Sequence, residues 1–123
     1  MAKKRVSELD GCELDYWVAM AMGESFRIEE GGGILVLDDE DIDPATMLVA
    51  EYEYKPSSEW YFSGPIIEDY GITLICSGDG NWSAMSQNGM PAMMTASTPL
   101  IAAMRTFVAM RFGQFVDRES ILH

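Results

Sequence analysis

Thr98-Pro99-Leu100-Ile101-Ala102-Ala103-Met104-Arg105-Thr106-Phe107-Val108-Ala109-Met110-Arg111-Phe112-Gly113 is the stretch whose reading sets the fold class. Thr98 suits an N-cap, because its hydroxyl can accept a backbone N–H that has no partner inside the helix. Pro99 fits the first helical position, and nothing breaks the run until Gly113. A closing helix is therefore expected over residues 100–112. Leu100, Met104, Phe107 and Arg111 fall on one face; Ile101, Arg105, Val108 and Phe112 fall on a second. Two apolar stripes require cover on more than one side, by a sheet and, as a further option, by another subunit. Each stripe holds one arginine, and a desolvated guanidinium without a partner is costly. Two readings of Arg105 and Arg111 stay open. One is an internal ion pair or a snorkelling side chain. The other is a guanidinium facing a pocket or subunit seam, where its planar fork grips phosphate or carboxylate.

Working outward, residues 6–23 read as an N-terminal helical region, with Asp10-Gly11 as a turn and Gly23 as the stop. Leu14, Trp17, Val18, Ala21 and Met22 recur there near helical spacing. The period then shortens. Residues 26–28 and 34–37 flank Glu29-Glu30-Gly31-Gly32-Gly33 as a hairpin, and residues 47–54 form a third strand candidate. Residues 72–76 and 82–85 are a fourth and fifth, joined around Gly78-Asp79-Gly80. Gly89-Met90-Pro91 opens an irregular stretch, and residues 114–123 form a docked or frayed tail. The expected fold is α+β: an N-terminal helix, a central antiparallel sheet of about four to five strands, and a C-terminal helix packed on the sheet. With 123 residues, no repeat and no linker, one domain over 1–123 is expected.

Composition narrows the function. Net charge is −12, from 20 acids against 8 bases. Lys3, Lys4 and Arg5 hold three of those bases, leaving Arg27, Lys55, Arg105, Arg111 and Arg118 for the rest. Such a surface repels a phosphate backbone and argues against duplex nucleic acid as a partner. It suits a basic protein, or a small anion held by a few focused arginines; acidity kept for solubility is the plainer account. No run approaches the ~18 apolar residues of a membrane helix, and no apolar signal stretch follows the basic start, so a cytosolic protein is expected. Cys12 and Cys76 lack ligand spacing and read as reduced, small apolar residues.

Most catalytic and metal patterns fail. Asp39, Asp41 and Asp43 alternate like calcium ligands, but Pro44 stands where the loop needs glycine and Ala50 where it needs glutamate. The run Asp38, Asp39, Glu40, Asp41 and Asp43 is then a solvated acidic loop, or a phosphate mimic for a basic partner. The sole histidine is terminal His123, so histidine catalysis and zinc lack their ligand. Gly78-Asp79-Gly80 completes no dinucleotide fingerprint. Glu68 and Asp69 are adjacent, and adjacent carboxylates usually point apart. No catalytic residue, metal or cofactor is expected. Of the ten methionines, six fall between Met85 and Met110; they fill core gaps or form an adaptable surface.

What remains is the central segment, residues 55–68, aromatic and turn-rich, with Pro56 and Pro65. Long loops of this kind carry function. Trp60, Tyr61 or Phe62, if exposed, would stack on a planar ring; the alternative is that Trp60 plugs the core.

This segment also carries a resemblance. Pro56-Ser57-Ser58-Glu59-Trp60 followed by Gly64-Pro65-Ile66-Ile67-Glu68 resembles the central motif of the NinX-like family of tailed phages. Val6-Ser7-Glu8-Leu9 with Leu14-Asp15-Tyr16-Trp17-Val18-Ala19 is similar to its N-terminal signature. The run from Thr98 to Arg105, continuing through Val108 to Phe112-Gly113, is similar to its C-terminal one. Ser63 replaces a second glycine, and residues 38–43 read as an insertion. The resemblance implies a phage accessory protein acting in the host cytoplasm, in a family that carries no assigned chemistry. Phage accessory proteins often counter host defence. One such class, the Thoeris-type anti-defence sponges, is similar in size, oligomeric, and captures cyclic ADP-ribose-like or cyclic oligonucleotide signals without cleaving them; the likeness is one of class and architecture. On that reading Trp60, Ser58, Phe62, Gly64, Pro65 and Glu68 line the ligand site, and Arg105 or Arg111 holds phosphate between subunits of a homo-oligomer. The alternative is an acidic inhibitor that binds a basic host protein through Asp38, Asp39, Glu40, Asp41 and Asp43.

Overall fold

The computed structural model describes residues 3–87 and 93–117. In chain order the elements are β1 (Lys3–Arg5), a 3-10 turn (Val6–Glu8), α1 (Gly11–Met22), β2 (Phe26–Ile28), β3 (Ile34–Ile42) and β4 (Val49–Glu53). They continue with α2 (Trp60–Tyr70), β5 (Thr73–Cys76), β6 (Trp82–Met85), β7 (Met94–Ala96), α3 (Pro99–Phe112) and β8 (Phe115–Asp117). The α+β class is as expected, with α3 lying on the sheet β5-β6-β7. The strands do not form one central sheet. They divide into two three-stranded antiparallel sheets, β2-β3-β4 and β5-β6-β7, plus the pair β1-β8.

Helix α3 is the axis of the core. Thr98 caps it, its Oγ1 accepting from the Ile101 N–H at 3.2 Å. Leu100, Met104, Phe107, Val108 and three alanines of the helix are buried. Each large apolar side chain so removed from water contributes about 1.5–3 kcal/mol before the entropy of ordering it. Thr106, also fully buried, shares its one hydroxyl proton between the Ala84 carbonyl of β6 at 3.1 Å and the Ala102 carbonyl at 3.0 Å. Helix α1 closes the other side, burying Leu14, Trp17 and Val18, and ends where Gly23 takes a left-handed φ of 72°.

Two features of the central region differ from expectation. Residues 60–70 are a helix and not a loop. Gly64 and Pro65 look like turn residues, yet Ser63 and Ile66 are buried and Phe62 and Ile67 pack on the core, at helical spacing. Tertiary burial overrides the local preference. The acidic residues 38–41 are not a loop either, but the outer half of β3, whose register against β4 shifts between Asp38 and Ile42. Cys12 and Cys76, read as reduced, small apolar residues, are free thiols and both are exposed. The irregular stretch expected at Gly89-Met90-Pro91 and the tail beyond Asp117 lie outside the described residues.

Candidate functional site

The three motif-bearing stretches meet in space. Asp15, on α1 and 5% exposed, accepts the Ser57 N–H at 2.8 Å across 42 positions of sequence. That bond ties the segment entering α2 to α1. Burial pushes the Asp15 carboxyl up to about 6, against the Ser57 hydrogen bonds and the charge of Lys55. Arg105 links the outer two stretches. Its Nε donates to Leu9 O at 2.6 Å and its Nη1 to Thr95 O at 3.0 Å. Burial lowers the guanidinium pKa, while Asp10 and Glu8 oppose that shift. Its partners are backbone carbonyls, so Arg105 fastens the turn before α1 and strand β7 to α3.

Two hollows flank Tyr54. One, about 260 Å³, is lined by Asp15, Glu29, Lys55, Ser57 and Ser58. Lys55 is paired there with Glu53 at 2.8 Å. The other, about 350 Å³, lies between β4 and α2, with Tyr52, Tyr61, Phe62 and Pro65 in its wall. Tyr52 and Phe62 lie parallel with centroids 6.0 Å apart; Tyr54 and Tyr61 meet the Phe62 ring at 5.0 and 5.1 Å.

Of the residues singled out from sequence, Phe62 and Pro65 share the aromatic hollow and Ser58 lines the Asp15 hollow. Trp60 opens α2 and is 55% exposed, so it does not plug the core. Gly64 and Glu68 stand on α2 outside both linings. Arg111 is exposed in the last turn of α3, and neither it nor Arg105 lines either hollow. Sequence reasoning missed Glu24, Tyr52 and Tyr54 as site residues, and it placed Asp15 in a family signature without a role. The alternation of Tyr52 and Tyr54 on a strand places both on one face, a signal that was there to read.

Among the described residues, no group of three His, Cys, Asp or Glu is placed to hold a metal ion, and no helix is long and apolar enough to cross a membrane. A family model described as Bacteriophage P22, NinX matches residues 5–111. The chain belongs to that family. No curated protein matches it. Membership makes this a phage accessory protein. The matched span holds both hollows, the Asp15–Ser57 bond and the Arg105 tie.

Proposed function

We propose that this phage accessory protein acts by binding, not by catalysis, and that it inhibits a basic protein in the host cytoplasm by covering a positively charged surface. The observation that supports this is the tip of the β3–β4 hairpin. Met47 and Leu48 are 70% and 68% exposed, beside exposed Ile42 and Val49. Clustered apolar side chains left in water mark contact surfaces. Met47 also adopts a left-handed φ of 60°, a conformation that costs a side-chain-bearing residue about 1–3 kcal/mol and is kept where function needs it. Glu40, Asp41 and Asp43 surround the tip, and no ion pair among the described residues involves them. By contrast, Arg27 and Lys55 are matched by Glu51 and Glu53 at 2.8 Å each. Acids left uncompensated around an apolar knob repel a second copy and attract lysine and arginine.

The test is capture of host proteins on the immobilised chain, identification of what is retained, and calorimetry with the purified partner. Affinity should fall with added salt. The double change Asp41→Asn and Asp43→Asn should weaken it roughly tenfold, which is about 1.4 kcal/mol; replacing Met47 and Leu48 with serine should weaken it further. Binding indifferent to both changes sinks the proposal.

The second reading is counter-defence by sequestration of a cyclic ADP-ribose-like or cyclic oligonucleotide signal. It is favoured by Trp60 and by Tyr61, 82% exposed, as faces for a base. A homo-oligomer would have to bring Arg111 of another copy to the phosphates. A melting-temperature rise with such a nucleotide, the ligand then released intact on heating, selects it over the first.

A further inference from the structure

The aromatic hollow has a chemistry of its own. Tyr52 stands on β4, Tyr54 just past its end, and Tyr61 and Phe62 in the first turn of α2, with Phe62 in ring contact with all three tyrosines. The charged residues in the lining are Glu24 and Asp69, and no ion pair among the described residues engages either. Aromatic faces are negative at their centres, and two carboxylates add to that field. A phosphate would meet repulsion from every side. A neutral ring would gain stacking but nothing from the carboxylates. A flat cation gains from both, because a guanidinium stacks on ring faces while its edge N–H groups reach carboxylate oxygens.

We infer that the hollow between β4 and α2 is a guanidinium subsite, which takes an arginine side chain of the basic partner. The inference rests on the basic-partner reading for its source of arginine, but the subsite itself needs no partner to be examined. The Tyr52 and Tyr54 hydroxyls are held above their ordinary pKa by burial and then by the charge of Glu24, the direction a negative field produces. The exposure of Tyr61 leaves the hollow open to a side chain entering from outside.

The experiment titrates the full chain with argininamide and, in parallel, with citrullinamide, which replaces the guanidinium by a neutral urea of the same shape. Aromatic proton–carbon spectra provide the readout, with the Tyr61 signals assigned from Tyr61→Ala. Argininamide should move the Tyr61 and Tyr52 signals saturably, and citrullinamide should bind roughly fivefold more weakly. Tyr61→Ala and Asp69→Asn, both at exposed positions, should each weaken argininamide several-fold. Equal binding of the two amides, or no effect of either substitution, overturns the subsite. Stronger displacement of the same signals by adenosine monophosphate also overturns it, giving the hollow to a nucleotide ring. If argininamide binds and no basic host protein is captured, the partner reading fails and the subsite stands. The reverse outcome removes the subsite and leaves the hairpin surface in place.

Discussion

Asp15 and Arg105 show how much a single side chain does when its neighbours are distant in sequence. The Asp15 carboxyl shifts from 3.8 to about 6, and each unit is about 1.4 kcal/mol, so its ionisation costs the folded state about 3 kcal/mol. The sign follows from proton linkage. Between pH 4 and 6 the folded chain holds the Asp15 proton more tightly than the unfolded one, so this group's contribution to stability falls as pH rises through that window. Asp15→Asn keeps an oxygen for the Ser57 N–H and removes the charge. In urea unfolding the variant should gain on the parent by up to about 3 kcal/mol at pH 7 and by little at pH 4. The same gap at both pH values would mean that Asp15 titrates normally. Arg105→Ala should lower stability by about 2 kcal/mol, because two carbonyls lose a charged donor; an unchanged melting temperature would contradict the tie to Leu9 and Thr95. The family signatures already named Asp15, Ser57 and Arg105 in their separate stretches. Their pairing was not legible, since a hydrogen bond across 42 positions leaves no mark in local pattern.

The elements divide by how far local chemistry decides them. Helix α3 was readable from one end to the other, because cap, proline, apolar period and glycine all agree. The hairpin β2–β3 and the pair β5–β6 were readable too, from short apolar runs flanking glycine-rich turns. Helix α2 was not: Gly64 and Pro65 argue for a turn, and only the burial of Ser63 and Ile66 against the rest of the chain outweighs them. Strands β1, β7 and β8 are three residues each, too short for a period to show. The β3–β4 hairpin carries a prediction of its own. Met47→Gly relieves the left-handed backbone and should raise stability by about 1 kcal/mol, read as a higher midpoint in denaturant. It should also weaken capture of the proposed basic partner. A midpoint that falls would mean that Met47 stabilises the fold and is not held there for contact.

At the scale of the whole molecule, charge dominates. With a net −12 and bases such as Lys4, Arg27 and Lys55 already engaged by acids, the remaining carboxylates repel one another in the compact state. Adding salt shortens the reach of that repulsion to about 8 Å at physiological ionic strength, so the melting temperature should rise with salt at pH 7. A flat response in a chain of this charge would place the acids too far apart to interact. The sequence by itself determined the class of the fold, its first and last helices, and the family. The fold class and the helices follow from composition and near-neighbour spacing, which are local properties, and the family from the resemblance of the ordered motif blocks. Only the tertiary structure decided that Arg105 holds backbone carbonyls, that residues 60–70 are helical, and that Tyr52, Tyr54, Tyr61 and Phe62 form one hollow with Glu24 and Asp69. Each of those depends on side chains brought together by burial from separate parts of the chain, and periodicity within a segment carries no record of what the segment will pack against. The closing helix from which the α+β reading began keeps its boundaries, and its arginine at position 105 ties Leu9 and Thr95 to it through their backbone carbonyls.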